Sequence, residues 1–195
     1  MKYLISVFTL VLTATVAQAS VIATLSERNT DVLLTIEGSL DISSFGSVLT
    51  LSNSIDVNGF LPSNGEVFVE TPFESDVDRY EFSGVLTPFG TGAISFGSFD
   101  AGGQVAFFRN GSNIQIQLPD AYTSGTKLFG QASVGGDFAS LGISTGIFVT
   151  ALPGNQSLTV VTTPLSAVPL PAGGLLLLSG VAVLTTLRRR KKKVS

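Results

Sequence analysis

The chain has 195 residues, no Cys and no His, and a formal net charge of −3. The missing Cys excludes disulfides and cysteine nucleophiles. Because His is also missing, ordinary zinc sites and His-based serine triads are excluded. Residues 20–167 hold all 14 acidic residues and only four basic ones, so this region carries a net charge of −10. Such an acidic region opposes binding to nucleic acid.

The N-terminus predicts a secretory signal peptide over residues 1–19. Lys2 supplies a positive start, and Leu4–Val16 supplies an apolar stretch of signal-peptide length. Ala17 and Ala19 form an A-x-A cleavage site before Ser20. The alternative is an uncleaved anchor helix, although the apolar stretch is short for a membrane span.

Residues 20–167 form the predicted ectodomain, whose pattern indicates an all-β fold. Apolar and polar residues alternate as in half-buried strands, Gly, Asn and Pro separate these stretches, and no helical period is sustained. Asn53–Gly65 is rich in turn residues and is predicted to be a long surface connection. Strands are predicted at Ser20–Ser26, Val32–Ile36, Phe45–Leu51, Glu66–Glu70, Asp78–Ser83, Thr91–Phe96, Val105–Arg109, Asn113–Leu118, Lys127–Val134, Gly146–Leu152 and Ser157–Thr162.

About ten short strands with regular turns favour an antiparallel β-sandwich or jelly roll over a barrel or a solenoid. Asn110-Gly111 predicts a tight hairpin between two of the strands. In the second strand of that hairpin, Ile114, Ile116 and Leu118 should share one face.

An acidic group supplies the best metal candidate, because calcium prefers several oxygen ligands. The spacing lacks the EF-hand pattern, so a solvated acidic loop is the simpler interpretation. A pair of carboxylates that hydrolyses glycosides is a further alternative, which depends on a separation that sequence does not show. The candidate calcium ligands are Glu74, Asp76, Asp78 and Glu81.

Phe is the one enriched aromatic residue type. Phe107 and Phe108 are adjacent, so they should point to opposite faces of a strand. One of them should lie in the core, and the other is a candidate platform for stacking on a sugar or part of a second packing layer. Tyr80 and Tyr122 are candidates for a sugar site through ring and hydroxyl, with core packing as the simpler alternative.

The C-terminal residues 168–195 combine a proline-bearing motif, an apolar run and a basic cluster. The 18 residues from about 170 to 187 carry no charge and as a helix would span roughly 27 Å, close to a bilayer's hydrocarbon thickness. The cationic end should stay in the cytoplasm, which places the ectodomain on the periplasmic side as a single-pass precursor. The basic residues are Arg188, Arg189, Arg190, Lys191, Lys192 and Lys193.

Residues 168–172 read VPLPA, and with the span and basic cluster that follow they resemble the VPLPA-CTERM variant of the PEP-CTERM sorting signal. The motif consists of Val168, Pro169, Leu170, Pro171 and Ala172. The resemblance implies an exosortase that recognises and removes the tail, and a Gram-negative bacterium that makes exopolysaccharide. The segments DVLLTIEGSLDIS, LPDAYTSGT and FASLGISTGIFVTAL look like segments of small PEP-CTERM ectodomains, and they imply no particular activity.

These features predict an exported, non-catalytic protein of the cell surface or exopolysaccharide matrix, with no cofactor, whose partners are the membrane, the exosortase and the polysaccharide. The alternative is a carbohydrate- or calcium-binding surface module with a permanent membrane anchor. Ice binding is disfavoured, because no regular Thr array is evident in the sequence.

Overall fold

A computed structural model of the chain describes residues 19–51, 57–71 and 76–165. These residues are all-β, as predicted: they form strands and two short 3₁₀ turns. The strands are β1 Ser20–Glu27, β2 Asp31–Gly38, β3 Val48–Leu51, β4 Gly59–Leu61, β5 Glu66–Val69, β6 Val77–Ser83, β7 Ser95–Phe96, β8 Ser98–Gly102, β9 Val105–Asn110, β10 Asn113–Pro119, β11 Leu128–Gly135, β12 Gly146–Leu152 and β13 Gln156–Thr163.

The strands are arranged in two sheets. The six-stranded sheet has the order β12-β13-β1-β2-β11-β8, and the seven-stranded sheet has the order β3-β6-β10-β9-β5-β4-β7. The hairpin predicted at Asn110-Gly111 is confirmed, because Asn113 pairs with Asn110 and Gly111 has a φ of 62°. That positive φ is the reason a glycine occupies the turn.

One hydrophobic core is shared by both sheets. The strand alternation turns Val21 and Leu34 of the six-stranded sheet inward, together with Ile114 and Ile116 of the seven-stranded sheet. All four side chains are at most 1% exposed. The prediction that Ile114, Ile116 and Leu118 share one face is therefore confirmed, and that face is buried.

The antiparallel prediction needs one correction. Among the strand pairs in the described residues, β1 and β13 alone run parallel, from Ser20 opposite Ser157 to Ser26 opposite Thr163. Parallel neighbours need a long connection between them. Here that connection is the rest of the domain, because β1 and β13 are its first and last strands.

The predicted surface connection at Asn53–Gly65 is wrong in part, because β4 lies inside it. Phe60 of β4 is fully buried and contacts the ring of Phe89 with centroids 6.3 Å apart. Turn-forming residues surround this strand in the sequence. A strand of only three residues is too short to show a strand pattern among them. Strand β8 was not predicted either, since Ser98–Gly102 has a weak apolar pattern.

Tyr122 connects two loops beyond the strand ends. Its hydroxyl accepts a hydrogen bond from the Leu40 amide at 3.0 Å and donates to the Thr126 carbonyl at 2.7 Å. Leu40 follows β2, and Tyr122 lies between β10 and β11. The tyrosine therefore links two loops, each of which connects one sheet to the other.

The helices predicted from the sequence lie outside the described residues, apart from Ala19 at the end of the predicted signal peptide. In the part of the chain that the structure describes, no helix is long and apolar enough to cross a bilayer.

Candidate functional site

The outward face of the seven-stranded sheet carries a group of phenylalanines. Phe107 of β9 is fully buried between the sheets, whereas Phe108 points to the opposite face and is half-buried. The prediction that these two neighbours occupy opposite faces is confirmed. Phe108 is thus the member of the pair that is available to a second layer or to a ligand.

Phe108 does not stand alone on this face. Its ring stacks on that of Phe68 in β5, with centroids 5.3 Å apart and planes inclined by 23°. The ring of Phe96 in β7 lies 6.3 Å from that of Phe68 on another side. Phe68 is buried, but Phe96 is 59% exposed. We call these three residues, Phe68, Phe96 and Phe108, the aromatic platform.

Gly59 explains how Phe96 reaches Phe68 across an intervening strand. Gly59 of β4 pairs with Phe68 on one side and with Phe96 on the other. Its φ is 145°, and a Cβ at this position would lie 2.0 Å from the Ser95 carbonyl oxygen. A glycine is therefore required for β7 to approach β4 so closely.

Glu66 borders the platform beside Phe108. Its side chain is 7% exposed, and its Oε1 accepts hydrogen bonds from the Arg109 amide at 3.3 Å and from Asn64 Nδ2 at 3.0 Å. These two donors satisfy the buried carboxylate oxygen and hold its position. Glu66 therefore forms a fixed polar border next to an aromatic ring.

A second polar border lies on the other side of Phe108. Gln115 of β10 stands directly opposite Phe108 and donates from Nε2 to Glu81 at 2.9 Å. Asn113 donates to the other oxygen of Glu81 at 2.6 Å. Hydrogen bonds from Gln115, and then from Asn113, lower the pKa of Glu81, because they stabilise the charged carboxylate. The amides and carboxylate on this side form an ordered, exposed hydrogen-bonding row.

Farther along the same face, a strip of polar residues is buried. Glu70 is 2% exposed, and its Oε2 accepts from the Val57 amide at 3.2 Å. The Gln117 amide satisfies both neighbours when its nitrogen donates to Glu70 at 3.2 Å and its oxygen accepts from Arg79 at 3.0 Å. The Glu70 carboxylate and the Arg79 guanidinium are thus joined through the Gln117 amide. We interpret the strip as structural, because Glu70 and Gln117 are buried and hydrogen-bonded within it.

The candidate calcium ligands are not brought together in the described residues. Glu74 lies outside them. Asp78 and Glu81 are three positions apart on β6 and so point to opposite faces of the sheet. Asp78 is buried and accepts from Thr50 Oγ1 at 3.0 Å, and Asp76 is exposed before the strand. Within residues 19–51, 57–71 and 76–165, no group of three or more acidic side chains is suited to hold a metal ion.

The two tyrosines proposed for a sugar site are both buried. Tyr80 is 5% exposed and makes an edge contact with Phe45 in the core, with centroids 5.8 Å apart. Tyr122 is 8% exposed, and its hydroxyl is occupied by backbone groups. Neither ring presents a face to solvent, so core packing, the simpler of the two interpretations, describes them.

A shallow groove lies at one end of the domain. Its volume is about 470 Å³, and its lining includes Gln104, Asp120, Lys127 and Phe129. The groove therefore offers a second exposed aromatic ring, Phe129, with charged neighbours. Lys127 is exposed, as expected of a surface residue.

The predicted sorting and cleavage residues are not part of this description. The motif Val168–Ala172, the basic cluster 188–193 and Ala17 lie outside the described residues. Ala19 is the first residue that is described, and β1 begins directly after it.

Comparisons with protein-family models, curated proteins and solved structures found no match to this chain.

Phe68 and Phe96 were not recognised as site residues from the sequence. A signal for Phe68 was present: in the segment EVFVE, two valines flank the phenylalanine, so both faces of the strand carry apolar side chains. A strand that is apolar on both faces has a second layer on its outer side. Phe96 gave no such signal, because its partner is 28 positions away in the chain.

Proposed function

We propose that this protein is an exported, non-catalytic component of a bacterial cell surface or matrix that binds polysaccharide through the aromatic platform. The single observation that carries the proposal is the exposed Phe96 and the half-buried Phe108, both held against a buried Phe68. Apolar ring faces stack on the C–H faces of sugars, and the fixed amides and carboxylates beside them suit sugar hydroxyls.

The charge of the domain narrows the ligand to a neutral polysaccharide. The region 20–167 has a net charge of −10, and carboxylates stand on both sides of Phe108. A polyanion would be repelled by this surface. A neutral chain meets no such opposition, and it can still use the hydrogen-bonding row at Gln115 and Glu81.

Substitution of the platform rings tests this function. We expect Phe96→Ala and Phe108→Ala each to weaken binding to neutral polysaccharide from the producing strain by roughly threefold to tenfold. Affinity electrophoresis measures the change. Phe129→Ala is the matched control, because Phe129 is an exposed ring in the groove on the other sheet. Loss of binding in Phe129→Ala alone would assign the ligand to the groove and overturn the proposal.

A second variant moves Phe96 without removing it. Gly59→Ala places a methyl group against the Ser95 carbonyl and should push β7 away from β4. We expect binding to fall as in Phe96→Ala. Gly111→Ala is the control: it also has a positive φ, but nothing lies within 4 Å of the added Cβ. Equal binding by both glycine variants would show that the position of Phe96 is irrelevant.

We also propose that the C-terminal signal sorts the protein. Its support is the VPLPA motif followed by an apolar run and six basic residues. In this scheme the signal peptide starts export, the span halts it, and an exosortase cleaves near the motif. In this scheme Pro169 and Pro171 oppose helix formation at the motif, because proline disfavours helix at itself and at the preceding residue.

Mass spectrometry of the mature protein tests the sorting proposal separately from ligand binding. A C-terminus near Pro171 or Ala172 supports processing, whereas a retained Lys193 indicates a permanent anchor. Changing both prolines to Ala should block processing and leave export intact. Unchanged processing of that variant would refute the role of the motif.

We propose that the two sheets pack face to face as a β-sandwich with jelly-roll-like connections, since inward residues of both sheets enter one core. Chemical-shift assignment of strand pairing and of contacts between the sheets in solution would test this arrangement.

A further inference from the structure

On the outward face of the six-stranded sheet, the part formed by β12, β13 and β1 has neither the charges nor the aromatic rings found on the platform side. Three of its exposed side chains are large and aliphatic: Ile147 is 71% exposed, Val149 55% and Ile22 41%. Between them stand half-buried hydroxyl and β-branched residues. We call the outward residues of β12, β13 and β1 the uncharged face; they are Ile147, Val149, Ala151, Ser157, Thr159, Val161, Thr163, Ser20, Ile22, Thr24 and Ser26.

Strand register makes this face continuous. Val149 stands opposite Thr159, and Thr159 stands opposite Ile22 on the next strand. The neighbouring row runs from Ile147 through Val161 to Thr24 in the same way. The exposed aliphatic side chains therefore lie in two adjacent rows, with Thr159 between Val149 and Ile22, and form one uncharged patch with it. Contiguous apolar patches of this kind mark interaction surfaces.

The edge of this sheet is less accessible than its face. β12 is the edge strand, and a free edge would invite another strand to pair with it. Thr87 blocks the middle of that edge: its hydroxyl donates to the Val149 carbonyl, and its amide donates to Thr150 Oγ1, both at 2.8 Å. A partner is thus directed to the face of the sheet and away from its edge.

The net charge of the domain favours a second copy of the chain as the partner of this face. The domain carries a net charge of −10, so two copies repel each other wherever their carboxylates meet. Within the described strands β12, β13 and β1, every outward residue is uncharged, and the outward carboxylates of the next strand, Asp31 and Glu37, stand near its two ends. A cationic partner would bind to an acidic surface of the domain in preference to this uncharged one. The uncharged face is where a second copy can approach with the least repulsion.

We propose that two copies of this chain pack face to face through the uncharged face. Three strands about 4.8 Å apart, with about eight residues each at ~3.3 Å per residue, cover roughly 400 Å². Each partner in a standard stable complex buries about 800 Å². The association is therefore weak and reversible in solution, and it strengthens where the protein is concentrated at a surface.

Self-association has a consequence for polysaccharide binding that rests on the function proposed above. The aromatic platform lies on the outward face of the seven-stranded sheet, on the side of the domain opposite the uncharged face. Two copies joined through their six-stranded sheets carry their platforms on the two outer sides of the pair. Such a pair cross-links two polysaccharide chains, and it gains avidity on one surface.

Sedimentation equilibrium of the full chain in detergent micelles, at protein concentrations up to about a millimolar, tests the pairing. We expect a reversible monomer–dimer equilibrium. Ile147→Glu should raise the dimer Kd by at least about tenfold, because it brings an unpaired carboxylate into the contact. Ile94→Glu is the matched control, since Ile94 is 46% exposed and precedes β7 of the other sheet. A wild-type chain that stays monomeric, or equal effects of both variants, would overturn the proposal.

A cross-linking experiment gives an independent readout, because the chain has no Cys of its own. Single substitutions Thr24→Cys, Thr159→Cys and Val161→Cys sample the face, and Gln115→Cys samples the platform side. Mild oxidation of the full chain should give disulfide-linked dimers from at least one of the first three and none from Gln115→Cys. Adding Ile147→Glu should abolish them. Dimers that persist in that double variant would assign association to another part of the chain and refute the role of this face.

Discussion

The outward faces of the two sheets differ although their inward faces are alike. Both sheets send alternating aliphatic and aromatic side chains into one core. On the outside, the seven-stranded sheet carries stacked phenylalanines and hydrogen-bonded carboxylates, whereas β12, β13 and β1 carry hydroxyl and β-branched residues without a charge. The inward positions thus specify the fold, and the outward positions leave room for two different surfaces.

Regularity separates the two sheets as well. In the six-stranded sheet, β1, β2, β11 and β13 each have eight residues, and their pairing runs almost their whole length. In the seven-stranded sheet, β4 and β7 have three and two residues, and Gly59 lies at their junction. Long regular strands make a broad face. The short strands β4 and β7, which meet at Gly59, instead position a single side chain, Phe96 of the platform.

The largest effect should come from comparing the two faces of one strand. Phe107→Ala removes a fully buried ring from the shared core and should lower the free energy of unfolding by about 3–5 kcal/mol. Phe108→Ala removes the outward neighbour, which stacks on Phe68 alone among the described aromatic contacts, and should cost about 0.5–1.5 kcal/mol beyond its buried area. Urea unfolding measures both. Equal losses would mean that the outer layer belongs to the core and not to a binding surface.

Tyr122→Phe should have an intermediate effect, because it breaks a connection between loops of the two sheets. The change leaves the buried amide of Leu40 without its acceptor and should cost about 1–3 kcal/mol. Urea unfolding at neutral pH measures the loss. A loss near zero would show that the hydroxyl does not connect these loops in solution.

The same variant predicts a dependence on alkaline pH. Burial raises the pKa of Tyr122 above its usual value of 10.0, and the hydrogen bond with the Leu40 backbone opposes that rise in part. A raised folded pKa contributes stability below pH 10 that is lost as the pH rises through the folded value. The stability difference between wild type and Tyr122→Phe should therefore shrink above pH 10.

Local patterns predicted much of this fold from the sequence. Alternation located β1, β2, β10 and β12, because each is long enough to show its period and is bounded by turn residues. The Asn110-Gly111 turn was predictable because its geometry depends on two residues only. The parallel pairing of β1 with β13 was not, since it joins the two ends of the domain and no local rule specifies it.

The candidate site was predictable only at Phe108. Adjacent phenylalanines on a strand must occupy opposite faces, so one outward ring follows from the sequence alone. Its contact with Phe68, and the approach of Phe96 across Gly59, depend on which strands become neighbours. The acidic group shows the converse: closeness in sequence suggested a shared site, but strand alternation sends Asp78 and Glu81 to opposite faces.

The smallest expected effect is the change in stability with acid that Glu81 causes on the outward face of the seven-stranded sheet. Hydrogen bonds from Gln115 and Asn113 lower the pKa of Glu81, so its contribution to stability is present above its unfolded value of 4.5. That contribution is lost as the pH falls through the lower folded value. We expect the Tm advantage of wild type over Glu81→Gln to vanish over this range. Because Glu81 is exposed, the advantage should be small at any pH.

Acid should act in the opposite direction on the uncharged face. Protonation of carboxylates reduces the net charge of −10, while β12, β13 and β1 present no outward group that titrates. Self-association should therefore strengthen between about pH 6 and pH 4, as Asp and Glu become protonated. Asp137→Asn is the matched control for Glu81→Gln, because Ser140 lowers the pKa of Asp137, which follows β11 of the other sheet. Its Tm difference from wild type should vanish in acid in the same way as that of Glu81→Gln, and it should leave polysaccharide binding unchanged. If acid weakened both self-association and polysaccharide binding together, the two faces would not be independent, and the division of roles between them would fail.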